Sequence, residues 1–351
     1  MSPRRRLRAV PLLAGFALAV LQVGVLAPAA RAGVCDIQGH TATVGVDETV
    51  TIGRSGSSIT VNGANCGTVT TIDTVNVDVG GSGDSGIVFD LSHGQLAPGF
   101  TDEGNDTNEI EVDVTNLGPG GHVKVIGSSE GELFVFGSRT LSGPEKVHAI
   151  NFNGGDELFS GDEDVTVHGP IARIELLGNG GGDVLGGGGT TVQGSKPVTV
   201  PMTISDGPGS DNVRGGNGPD VFIPGPSTTE GDSYDGGSGK DSLSFAGRAA
   251  AMVITEDGNF NDGVNCPGPT CEGDNVADDV EKVTGGAGGD RITGSGAANV
   301  LGGAGGKDTL NGGNGNDTLN GGPANDTLNG GGGTDTCNQG GGTGPETGCE
   351  A

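Results

Sequence analysis

The 351-residue chain has no tryptophan, one tyrosine and only 3% aromatic residues, so large rings cannot fill a deep core. Basic residues are scarce too: 17 Lys and Arg face 45 Asp and Glu, a formal net charge of −28. That balance argues against nucleic acid and anionic membrane as partners, since phosphates attract Lys and Arg. There is no HExxH and no paired CxxC, and the five histidines are scattered. Zinc-protease and zinc-ribbon chemistry therefore lack their usual residues. "GGSGKD" (236–241) has the glycines of a phosphate loop, but Asp241 stands where a Ser or Thr belongs and would repel phosphate. No helical stripe of useful length occurs. After about Leu26 no run approaches the ~20 apolar residues of a membrane span.

The start of the chain is different. Arg4, Arg5, Arg6 and Arg8 precede an apolar run from Ala9 to about Leu26, and Ala30-Arg31-Ala32 follows. Basic, apolar and small-residue regions in that order predict a secretory signal over 1–32, cleaved before Gly33. An uncleaved anchor is the alternative, disfavoured by the A-x-A site. Cleavage removes five arginines and no acid, taking the charge from −28 to −33. All six cysteines lie beyond it. An even count in an exported chain predicts disulfides, and proximity favours Cys35–Cys66, Cys266–Cys271 and Cys337–Cys349.

Residues 33–170 carry short β-type runs between Gly and Asp turns, among them Val44–Ile52, Val75–Val79, Ile110–Val114, Val123–Ile126 and Val165–Val167. Several alternate apolar and polar residues, the period of a half-buried strand. Their spacing suits an irregular solenoid or a β-sandwich, and periodicity does not separate the two. From about Gly178 a nonapeptide rhythm begins loosely, with Asp183, Asp211, Asp220 and Asp241 at its sixth position. An acidic insertion over 248–284 interrupts it. Its "DGNFNDG" (257–263) resembles an EF-hand loop, yet Asp262 replaces the required glycine.

At Gly285 the register locks, and six nonapeptides run without a gap to Asn338. Position six is Asp290, Asn299, Asp308, Asp317, Asp326 and Asp335. Position eight is Ile292, Leu301, Leu310, Leu319, Leu328 and Cys337. A glycine-rich turn followed by a three-residue strand, two such units per coil, stacks residues eighteen apart at the ~4.8 Å strand spacing. Asp290, Asp308 and Asp326 would then line one edge, and Asn299, Asp317 and Asp335 the other. Bare unit charges ~5 Å apart repel by about 3 kcal/mol at an effective dielectric of ~20, so such columns need cations. Calcium fits best, taking six to eight hard oxygens from carboxylates and turn carbonyls. Asn299 is neutral, so its level is expected to bind more weakly.

The repeats match GGxGxDxUx and resemble the RTX, or haemolysin-type calcium-binding, family: closely over 285–338, loosely over 178–244, poorly before. "GDNVADDVEKVTGGAGGDRITG" (273–294) resembles a segment of secreted actinobacterial proteins of this group. The resemblance implies an all-β solenoid ending in a right-handed parallel β-roll that folds on binding calcium. Family cytolysins carry a C-terminal export signal and a long hydrophobic pore region, which are not matched here, so toxin activity does not carry over. The expected organisation is a signal (1–32), a β-rich region (33–170), a degenerate roll (171–247), the insertion (248–284), a regular roll (285–338) and a Cys-closed cap (339–351). The expected function is that of a secreted, non-catalytic calcium-binding protein. The alternatives are an adhesin contacting envelope glycan or protein through 33–170, or a calcium-dependent hydrolase or lyase. A lyase would need clustered basic side chains, and only twelve Lys and Arg remain after residue 32.

Overall fold

A computed structural model of the chain describes residues 35–350 except 40, 46–48, 69–73, 81–84, 95–110, 116, 132, 141–145, 152–164, 190–195, 265 and 267–270. The signal expected over 1–32 lies outside the described residues. All regular structure among the described residues is β-strand, and most strands pair in parallel. Residues 32–351 form one compact unit.

Two ladders run along the molecule. In the 13-stranded sheet, Val50–Ser55, Gly86–Asp90, His122–Ile126, Arg173–Leu177, Met202–Ser205 and Val221–Ile223 pair in parallel in that order. The ladder then continues through Ser242–Ser244, Lys282–Thr284, Val300–Gly302 and Thr318–Asn320 to Thr336–Asn338. It crosses residue 170 without a break, so the β-rich run and the later repeats are coils of one solenoid. That resolves the ambiguity between solenoid and sandwich. The sequence run Val44–Ile52 is not one strand: Thr41–Gly45 belongs to the 11-stranded sheet and Val50–Ser55 to the 13-stranded one.

The acidic insertion acts as a splice. Its Asn275–Val276 strand ends the 11-stranded sheet against Ser233–Asp235. Its Met252–Thr255 strand pairs with Arg291–Thr293 within the six-stranded sheet that lines the regular roll. Lys282–Thr284 meanwhile carries the 13-stranded sheet onward. What reads as an interruption is therefore built into the walls.

In the regular roll the partners are eighteen apart, Arg291↔Thr309↔Thr327 on one wall and Val300↔Thr318↔Thr336 on the other. Two nonapeptides make one coil. The position-eight hydrophobes Ile292, Leu301, Leu310, Leu319 and Leu328 are fully buried between the walls. Each such burial contributes about 1.5–3 kcal/mol, a thin core for this length of chain.

All three cysteine pairs favoured by proximity are disulfides, with Cα–Cα distances of 5.6, 4.5 and 5.7 Å. Cys337 takes the place of the next leucine over Leu319, and its bond to Cys349 ties the tail across the last coil.

Candidate metal centre

The position-six side chains point along the solenoid, each back toward the preceding coil. Asp308 Oδ1 accepts the amide of Asp290 at 2.7 Å, and Asp326 Oδ1 that of Asp308 at 2.8 Å. On the other row, Asp317 Oδ1 accepts the amide of Asn299 and Asp335 Oδ1 that of Asp317, both at 2.8 Å. The two rows are thus the ones expected from eighteen-residue stacking. Glycine at position one makes this possible: a Cβ on Gly312 would collide with Asp317 Oδ2 and the Gly330 carbonyl. The same crowding at Gly303 involves Asp308 Oδ2 and the Gly321 carbonyl.

The upstream aspartates fall into rows as well, with irregular coil lengths. Asp183, Asp211, Asp232 and Asp274 form one, each amide reaching the next carboxylate over separations of 28, 21 and 42 residues. Asp220, Asp241 and Glu281 form another, with separations of 21 and 40. Strand register carries the second into Asn299, Asp317 and Asp335. Sequence reasoning missed Asp232, Asp274 and Glu281. Each directly precedes a short strand whose second residue is buried (Tyr234, Val276, Val283), but none follows a complete GGxGx turn. The row ends are capped by mimics: Gln339 Oε1 accepts the amide of Asp326 at 3.2 Å, and Glu350 Oε2 that of Asp335 at 2.5 Å.

These carboxylates are buried yet half-used. Oδ2 of Asp211, Asp241, Asp308, Asp317, Asp326 and Asp335 is buried and accepts no hydrogen bond. By contrast, Oδ2 of Asp220 and Asp290 accepts the position-two amides of Gly216 and Gly286, at 2.7 Å each. A buried carboxylate oxygen without a donor is costly unless a cation or proton meets it. The donor set is hard oxygen throughout, the set calcium prefers over softer metals. The residues present therefore fit a calcium ion. Burial, opposed by backbone amide hydrogen bonds, raises the pKa values: Asp220 and Asp308 are pushed up to about 6, Asp241 to about 7, and Asp290 and Asp317 upward.

Asn299 is neutral, but its level does have a carboxylate. Glu256, from the insertion, accepts the Asn299 Nδ2 proton at 2.6 Å and the Ser295 amide at 3.1 Å. Its Oε1 is buried and accepts no hydrogen bond, and burial pushes Glu256 up to about 8. In the EF-hand-like loop the aspartates are used differently. Asp262 is spent on the amides of Thr255 (2.6 Å) and Val276 (3.0 Å), and Asp257 on those of its own turn. Asp262 ties the two splice strands together instead.

One cation is built in. Arg248 is buried beside Glu272 (2.6 Å), Asp274 (3.2 Å) and Asp232 (3.8 Å), with its guanidinium 5.0 Å from the Phe245 ring centre. It stands among row carboxylates at the splice.

A family model of the RTX calcium-binding nonapeptide repeat, four copies long, matches residues 203–224, 278–310 and 302–337. No curated protein matches the chain. The matched segments are coils that carry the carboxylate rows, so the resemblance and the geometry fall on the same residues. The chain carries RTX calcium-binding nonapeptide repeats, laid out as stacked coils of an all-β solenoid.

Proposed function

We propose that the chain is a secreted, non-catalytic calcium-binding protein whose solenoid is consolidated when the ion fills its carboxylate rows. The observation that carries this reading is the repeated buried Oδ2 without a donor at Asp308, Asp317, Asp326 and Asp335. Asp290, Asp308 and Asp326 would hold ions on one row. Asp220, Asp241, Glu281, Asn299, Asp317 and Asp335 would do so on the other, with Asp183 and Asp211 serving the upstream row. Because the rows repel themselves when ionised and empty, binding free energy becomes folding free energy. A chain kept loose where calcium is low and ordered where it is high suits export. The non-catalytic reading draws support from the basic residues: Lys124, Arg214 and Arg248 are each paired with carboxylates rather than gathered in one groove.

Titration calorimetry of the full chain with calcium tests the assignment. Asp317→Ala is expected to weaken binding at its level at least about tenfold, a change of ~1.4 kcal/mol. Asn299→Ala is expected to do less, because Glu256 stays in place. Equal effects of the two, or none from Asp317→Ala, would remove the rows as ligands.

A further inference from the structure

We propose that Asp206, Asp211 and Asp232 form a calcium site of a second kind, set inside the solenoid and completed by Asp206. Asp206 occupies position one of "DGPGSDNVR" (206–214), where the regular repeats have glycine. In those repeats any Cβ at position one would run into a side-chain oxygen of the position-six residue. An aspartate there therefore delivers a second carboxylate beside Asp211. One oxygen from each of Asp206, Asp211 and Asp232 lies within 4.8 Å of the others, and all three residues are at least 97% buried. Oxygens on opposite sides of one calcium ion are about 5 Å apart, so three oxygens this close can share a single ion.

The other contacts leave carboxylate oxygens for a cation to meet. Asp206 accepts the amides of Gly207 (2.7 Å) and Gly225 (2.6 Å) and the Tyr234 hydroxyl (2.6 Å). Asp232 lies 3.2 Å from the same hydroxyl, and its Oδ1 accepts the Asp211 amide at 3.0 Å. Asp211 Oδ1 accepts the Asp183 amide, while its Oδ2 is buried with no hydrogen bond. Arg248 is the buried positive charge nearby, and its Nη1 is committed to Glu272 and Asp274. One guanidinium is shared among three carboxylates, Asp232, Glu272 and Asp274. A divalent ion at the Asp206 end supplies the charge that the arginine end does not.

The chain itself contains the probe. Tyr234 is its one tyrosine, there is no tryptophan, and the hydroxyl touches two of the three proposed ligands. Terbium(III) in place of calcium, excited through tyrosine, therefore emits strongly only when bound beside Tyr234. The full chain is expected to show such emission, saturating at one ion per chain and displaced by calcium. Asp206→Asn, whose Oδ1 can still accept the two glycine amides, is expected to abolish it. The same variant should keep the remaining calcium ions counted by calorimetry. Asp335→Asn is expected to leave the emission intact, and Tyr234→Phe to remove it without changing the ion count. A chain that binds calcium yet gives no tyrosine-sensitised emission would show that protons, not an ion, neutralise this cluster. Emission that survives Asp206→Asn would put the ion in the turn row and overturn the proposal. Emission without further calcium binding would sink the turn rows and leave this site standing.

Discussion

Replacing Arg248 by methionine is expected to cost about 3–5 kcal/mol of unfolding free energy, the usual loss when one partner of a buried ion pair is removed. Methionine keeps most of the apolar stem, so the loss reports the guanidinium: its ion pairs together with its contact with the Phe245 ring. Without the guanidinium, Glu272 and Asp274 keep their burial and lose their counter-charge, and Asp232 loses a neighbour at 3.8 Å. Asp274, already pushed up to about 7 by burial against the lowering influence of Arg248, would be forced to take a proton. Urea unfolding at saturating calcium measures the loss. A change below ~1 kcal/mol would mean that the splice does not depend on its built-in cation.

Stability is expected to depend on pH with opposite sign in chelator and in calcium. Burial raises the row carboxyls above their unfolded values: Asp211 and Asp220 to about 6, Asp241 to about 7, and Asp232 and Glu256 to about 8. A raised carboxyl makes the folded state bind more protons than the unfolded one. Its contribution is therefore fully present below about pH 4 and lost as pH rises through 6 to 8. For Asp220, moved from 3.8 to about 6, that loss spans roughly pH 4 to 6, and the groups pushed up to about 8 extend it further. The calcium-free coils are therefore expected to lose stability as pH rises toward 8. Calcium needs those same groups ionised, so the loaded protein should instead lose stability as pH falls below about 6. Thermal unfolding from pH 4 to 8, with calcium and with chelator, should give curves of opposite slope. Parallel curves would contradict the assignment of the rows to an ion.

The regular roll was legible because its coil length never changes. A constant eighteen-residue stack puts Asp308 against Asp326 and Asp317 against Asp335 in sequence arithmetic as it does in space. Upstream, coils of 28, 21 and 42 residues destroy that arithmetic, so Asp232 and Asp274 were invisible although they do the same work. Glu256 and Arg248 escaped notice for another reason. They belong to the insertion, and only the pairing of Met252–Thr255 with Arg291–Thr293 brings Glu256 to Asn299. Gln339 and Glu350 stand in for missing aspartates by reach rather than by position in a repeat. The N-terminal coils follow from alternation alone as strands. Their union with the later repeats depends on pairings such as Ile174 with Met202, which no local pattern announces.

Far-UV circular dichroism of the full chain, begun in chelator near pH 8 and titrated with calcium and separately with magnesium, tests the central claim most directly. The β-sheet signal and the melting temperature are both expected to rise with calcium, and magnesium is expected not to reproduce the rise at matched concentration. An identical spectrum and melting temperature in calcium, magnesium and chelator would contradict it.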